Sequence, residues 1–192
     1  MFKDLYIDDI NTSVDSETEL HKLKRDITKI MTEHGFPLKG FAISNSKPDE
    51  SLSENDFTMI AGWKWYSESD TMQLAIPPIF IGEKKKGLFS KNTKFLHDNP
   101  TRQEIVEFYK DQNITLPHIV SRTAMLFDMA GFSTPLAILG NYVARLALEY
   151  IKGNQQKAVS DHIREAFLTY LYLASEFATL PFKYCLTLKR MD

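Results

Sequence analysis

Two adjacent aspartates, Asp8 and Asp9, are the residues of this chain best suited to chemistry. They follow Tyr6 and Ile7. Tyr6 and Ile7 favour a strand and adjacent aspartates favour a tight turn, so the predicted element is a β-hairpin with two carboxylates at its tip. Carboxylates this close repel one another, and a cation relieves the repulsion. Hard divalent cations prefer such oxygen ligands, and Mg²⁺ takes one or two carboxylates together with substrate phosphates. Two metals so held stabilise the attacking and leaving oxygens of a phosphoryl-type displacement. A solvated Asp-Asp turn without chemistry fits the same four residues, and the four alone do not separate the readings.

The flanking sequence must build that hairpin and give it a support. Residues 2–14 read as its arms. Ser16-Glu17-Thr18-Glu19 is a capping box that opens a helix. Leu20, Leu23, Ile27, Ile30 and Met31 then fall on one stripe, and Gly35 is placed to end the helix in a left-handed conformation. Strands are predicted over 38–44, 58–66 and 71–76, the last two around the turn Ser67-Glu68-Ser69-Asp70. Gly62 inside the second of these removes a side chain, so that a backbone or a ligand can come close. Pro77-Pro78 stops the third strand, and 83–94 reads as a basic, glycine-containing loop. Helices are predicted over 100–111, 119–130, 134–152 and 155–179 from their caps, glycines and prolines. Apolar residues cover most of the circumference of 134–152, which predicts a central place in a helical bundle. The fold class read from this order is α+β in the first third and helical in the last half.

Of the 192 residues, 43% are hydrophobic, enough for a real core. The net charge of −2 is unevenly spread. Residues 1–60 carry seven basic and twelve acidic side chains, whereas 83–102 carry six basic and two acidic. The single cysteine, Cys185, excludes an internal disulfide and suits a reducing, intracellular compartment, cytoplasm or nucleus. No apolar run is long enough for a membrane span, so no membrane partner is expected. The five histidines have no metal-ligand spacing.

Four stretches, taken in order, resemble a known family. Tyr6-Ile7-Asp8-Asp9 resembles the metal-binding hairpin of a polymerase palm. The helix from Ser16, followed by Gly35-Phe36-Pro37-Leu38-Lys39-Gly40-Phe41, resembles the helix and strand after that hairpin. Ile60-Ala61-Gly62-Trp63-Lys64-Trp65 with Ser67-Glu68-Ser69-Asp70-Thr71 resembles a primer-grip hairpin. Ser121-Arg122-Thr123 with Phe127-Asp128-Met129-Ala130-Gly131-Phe132-Ser133-Thr134-Pro135 resembles the stretch after the palm. Together they are similar to the reverse transcriptases of the Bel/Pao group of LTR retrotransposons, over roughly residues 2–150. Met129 departs from the proline usual in that family.

The resemblance implies the C-terminal part of a polymerase palm, an antiparallel sheet with a helix, followed by a mostly helical thumb and connection region. The implied domains are a partial palm over 1–80, a basic linker over 81–99 and a helical region over 100–192. Asp8 and Asp9 would be the catalytic residues, holding Mg²⁺ or Mn²⁺. Tyr6 would pack on the nascent base pair, and Gly62 and Trp63 would place the primer. Lys84, Lys85, Lys86 and Arg122 would neutralise phosphates of an RNA or DNA template–primer, with deoxynucleoside triphosphates as substrate. A third metal-binding carboxylate and the fingers precede this stretch in the family, so the chain by itself is expected to be inactive. Its opening hairpin is expected to be an exposed sheet edge open to self-association. Blander readings stand beside these: a strand aromatic for Tyr6, core packing for Trp63 and Trp65, a solvated charge run for the lysines, a structural carboxylate for Asp128. The other function on the table is a non-catalytic nucleic-acid-binding or protein-interaction module derived from such an element.

Overall fold

The computed structural model describes residues 5–6, 9–10, 12–49, 56–76, 78–82, 84–85, 88–126 and 131–183, with the backbone path alone for Leu5, Tyr6, Asp9, Lys84, Lys85 and Leu88. Its elements begin with β1 (Leu5–Tyr6), β2 (Asp9–Ile10), α1 (Glu17–Glu33), β3 (Thr58–Ile60), β4 (Trp63–Tyr66) and β5 (Thr71–Leu74). Four short strands follow, β6 (Phe80–Ile81), β7 (Lys84–Lys85), β8 (Leu88–Phe89) and β9 (Lys94–Phe95). The rest is α2 (Arg102–Phe108), α3 (Leu116–Thr123), α4 (Thr134–Ile151), α5 (Asp161–Ala178) and β10 (Phe182–Lys183). The chain is therefore α+β. It divides into two compact units, one from the described residues within 1–60, 64–72 and 182–192, the other from those within 61–63 and 73–181. Within the first unit β10 returns to pair with β5, Phe182 opposite Met72 and Lys183 opposite Thr71.

In the first unit α1 starts at the predicted N-cap, Ser16, with the Ser16 half of its capping box formed. Ser16 Oγ accepts from the Glu19 amide at 3.2 Å, and the Glu19 carboxylate accepts from the Asp15 amide at 3.3 Å. Gly35, at φ +80°, ends it. The helix buries none of its residues, and Ile30 on its apolar stripe is 45% exposed. The predicted strand 38–44 does not form. Phe41 and Asp49 instead close a loop, with the Phe41 amide donating to Asp49 Oδ2 at 2.8 Å and the Asp49 amide to the Phe41 carbonyl at 3.1 Å. Short polar side chains that bond the backbone locally compete with a ladder in this way.

The sheet runs in the order β10-β5-β4-β3. The predicted strand 58–66 is broken at Ala61 and Gly62, which have φ of +47° and +87°. Two consecutive residues of positive φ make the tight turn whose twist suits a hairpin, so Gly62 turns the chain between β3 and β4. The predicted turn Ser67–Asp70 is present. Ser67 is fully buried there and donates to the Ser46 carbonyl at 2.6 Å, while Asp70 Oδ1 accepts from Trp65 Nε1 at 3.1 Å and Ser44 Oγ at 3.0 Å.

In the second unit α2 and α3 are shorter than predicted, and α3 starts earlier, behind Thr115. The amide of Thr115 donates to His118 Nδ1 at 3.3 Å. The helix predicted from 155 begins only at Asp161, because Asn154–Lys157 turns and Ala158 bridges to Thr115. Ile105, Ile119, Val143, Ala147 and Phe167 are fully excluded from solvent. The helix predicted to be central, α4, buries only the stripe Leu136, Gly140, Val143, Ala147 and Ile151, and Ile138, Tyr142 and Leu148 on its other side are each more than half exposed. Helix α4 still packs on two neighbours, α3 and α5, and α5 packs on α2 and α4.

Gly140 sets the approach of these helices. A Cβ there would lie 2.9 Å from a Tyr170 ring carbon and 3.0 Å from a Thr123 methyl. Gly140→Ala should gain up to about 1 kcal/mol of helix propensity and lose roughly 1–3 kcal/mol to overpacking, because Tyr170 is itself buried. Urea unfolding should show a net loss of stability; a variant as stable as wild type would mean that the helices part without cost.

Candidate nucleic-acid interface

The opening hairpin forms, but Asp9 lies in one of its strands and not at the tip expected for both aspartates. Antiparallel register sets Leu5 opposite Ile10 and Tyr6 opposite Asp9, so Ile7 and Asp8 are the two residues between the paired positions. Asp8 lies outside the described residues, as do Lys86, Asp128 and Cys185. Asp9 thus occupies the first paired position of β2. Among the described residues no group of three or more His, Cys, Asp or Glu side chains could hold a metal ion. The donor chemistry of Asp8 and Asp9, two carboxylates, fits a hard divalent cation as a partial ligand set.

Gly62 and Trp63 belong to the second unit. Gly62 stands in the β3–β4 turn and its carbonyl accepts from the Ala75 amide at 2.9 Å. Trp63 and Trp65 are both buried, at 4% and 7% exposure, and Trp63 meets Phe132 edge-on with centroids 5.9 Å apart. The alternation of a strand puts residues two apart on one face, and here that face is inward.

Within the predicted basic loop 83–94 the described residues form short paired strands. β6 pairs antiparallel with β9, Phe80 opposite Phe95 and Ile81 opposite Lys94. β7 pairs with β8, Lys84 opposite Phe89 and Lys85 opposite Leu88. The result is a ribbon of two successive strand pairs, with Lys84 and Lys85 on β7. Gly82 allows it to close: at φ +136°, a Cβ there would lie 2.9 Å from the Thr93 backbone. The turn Ser90–Thr93 is held by the Thr93 amide on the Ser90 carbonyl at 3.0 Å.

The ribbon's aromatic residues escape a reading that follows charge alone. Phe80 is buried, at 1% exposure, and Phe89 and Phe95 are 37% and 48% exposed. Their rings form a triad with centroids 4.7, 4.9 and 5.9 Å apart, Phe89 edge-on to both others. The available signal was the recurrence of Phe at 80, 89 and 95 among lysines, the interleaving seen where bases stack beside a basic groove.

Arg122 lies against this triad. Its guanidinium carbon sits 3.4 Å over the Phe80 ring, Nη2 donates to the Phe80 carbonyl at 3.0 Å and Nη1 to Ser121 Oγ at 3.3 Å. Its Nε is buried and has no hydrogen bond among the described residues. A contact from Arg122 to phosphate must therefore share or replace these internal partners. Tyr109 Oη also donates to the Phe80 carbonyl, at 3.1 Å. Burial pushes the Tyr109 phenol above its ordinary range, against the lowering effect of the nearby Arg122 charge. His118 is pushed down, first by burial and then by Arg122.

Beyond β9, the start of α2 carries a coupled pair. Glu104 Oε2 accepts from the Thr101 amide at 2.8 Å and from Thr101 Oγ1 at 2.7 Å, and His97 Nε2 lies 3.0 Å from Glu104 Oε1. These bonds, those of Thr101 first, lower Glu104 to about 2. The bond of His97 to the Asp98 carbonyl, then that to Glu104, raises His97.

Comparison with models of known protein families, with curated proteins and with solved structures finds no match.

The signs of the two shifts define a pH window. Glu104, lowered from its ordinary 4.5, contributes stability that is complete above that value and fades as pH falls towards 2. His97, raised from 6.5, contributes stability that is complete below 6.5 and is lost as pH rises through its folded value. The melting-temperature gap between wild type and His97→Gln should be largest at pH 4.5–6.5 and shrink on the alkaline side. A gap that widens with rising pH would contradict the pairing.

Proposed function

We propose that this chain is a segment of an RNA-directed DNA polymerase of the Bel/Pao type. In this reading Asp8 and Asp9 are metal-binding carboxylates of a nucleotidyl transferase, and the ribbon holds a template–primer by its phosphates. The observation that supports it is the antiparallel pairing of Tyr6 with Asp9, which puts Asp9 in a short hairpin directly after Asp8 in sequence. The order of the stretches that resemble the family supports it further.

When bound, Mg²⁺ or Mn²⁺ supplies stabilisation of the attacking and leaving oxygens. The chain's own part is to hold and orient. Asp8 and Asp9 offer oxygen ligands, and Tyr6 opposite Asp9 borders the site on the other strand. Gly62, at the β3–β4 turn, offers backbone to a primer strand without a side chain in the way. Lys84 and Lys85 on the ribbon, with Lys86, offset phosphate charge without reading sequence.

A second reading rests on the ribbon: a non-catalytic nucleic-acid-binding module, for which interleaved phenylalanines and lysines are sufficient. One experiment separates the two. Mn²⁺ titrated with deoxynucleoside triphosphate and primer–template should broaden amide signals of residues 5–10, weakly, since two carboxylates complete only part of the ion's ligand set. Asp8→Asn should remove that broadening and leave primer–template affinity within about twofold. Broadening that survives Asp8→Asn would refute the metal site, and nucleic-acid binding without any broadening at the hairpin would favour the non-catalytic module.

A further inference from the structure

We propose that Phe89 and Phe95 form a stacking platform on the ribbon, and that this surface takes single-stranded nucleic acid in preference to duplex. The proposal rests on the nucleic-acid side of the function argued above and is independent of the metal hairpin.

Phe89 and Phe95 present adjoining ring surface to solvent on a short ribbon, 37% and 48% exposed. They are also fixed. Phe89 meets Phe80 and Phe95 edge-on at 81° and 83°, and Phe80 beneath them is clamped by Arg122 over its ring and by two hydrogen bonds to its carbonyl. Rings held in place before binding lose little freedom when a base lands on them, which favours affinity.

The surroundings select the occupant. Lys91, on the turn Ser90–Thr93 that joins β8 to β9, and Lys94, next to Phe95, are both exposed. Lys94 and Phe95 take opposite faces of β9, so cations flank the rings at the edge and on the reverse of the ribbon. Cations that follow a backbone, with aromatic faces for the bases, are the two components of sequence-tolerant single-strand binding. A duplex keeps its bases stacked on one another and offers the rings only its phosphates and groove edges.

Fluorescence anisotropy with a labelled twenty-residue oligo(dT) and a twenty-base-pair duplex tests this on the full chain. Each stacked base contributes about 1–3 kcal/mol, so Phe89→Leu and Phe95→Leu should each weaken oligo(dT) binding about fivefold or more, and the double variant about 30-fold. Leucine keeps an apolar group against Phe80, and melting curves verify that the variants fold. Duplex affinity and the slope of log K against log salt should hardly change in them, whereas Lys91→Ala with Lys94→Ala should flatten that slope. Wild-type affinity for oligo(dT) in the folded double variant, or equal wild-type affinity for duplex and single strand, would overturn the proposal. Equal competition by polyglutamate would overturn it as well, by showing a surface for acidic chains. Loss of the Mn²⁺ signal at residues 5–10 would leave this platform untouched, so the two ideas fail separately.

Discussion

The backbone carbonyl of Phe80 is the point on which the second unit's aromatic ribbon depends. It accepts hydrogen bonds from Tyr109 at the end of α2 and from Arg122 in α3, and the same guanidinium covers the Phe80 ring. A charged donor and a buried phenol therefore converge on one acceptor in a site nearly closed to water. Hydrogen bonds to charged groups contribute about 1.5–3 kcal/mol each, and leaving such a group unsatisfied costs more. Tyr109 is itself held from behind, because Arg164 of α5 donates to the carbonyls of Tyr109, Lys110 and Gln112. A chain of contacts thus runs from helix α5 through Tyr109 to Phe80, and from Phe80 to Phe89 and Phe95 at the surface. The bundle positions the ribbon.

This arrangement gives Arg122 a different place from the one its neighbourhood in the sequence suggests. A guanidinium stacked on a ring and hydrogen-bonded to the backbone is a fastening for the aromatic triad, worth more there than as a solvated cation. The first unit is built differently. Its α1 is well capped yet buries none of its residues, and its loops are held by side-chain bonds of Asp49, Ser67 and Asp70.

Local signals in the sequence were read correctly where the chemistry is local. Ser16, Thr101, Gly35 and Gly153 start or stop helices where their caps and positive φ values require, and the Ser67–Asp70 turn stands where its polar residues put it. The reading failed where long-range pairing decides. The strand expected over 58–66 is divided because Ala61 joins Gly62 in positive φ, which no propensity for Ala anticipates. The start of α5 moves to Asp161 because Ala158 bridges to Thr115, more than forty residues away in sequence. The apolar girdle of α4 suggested burial all round, but only one stripe meets α3 and α5. The basic stretch gave its charge away and hid its ribbon, since two-residue strands have no periodicity to detect. No helix among the described residues is long and apolar enough to cross a membrane.

Photocrosslinking of a bound primer–template carrying 5-iodouracil, followed by peptide mapping, tests the central claim most directly, because the reagent reacts with aromatic rings it touches. The account predicts crosslinks within residues 80–95, at Phe89 or Phe95, from the single-stranded template overhang. Crosslinks confined to other parts of the chain, with residues 80–95 unmodified, would contradict it.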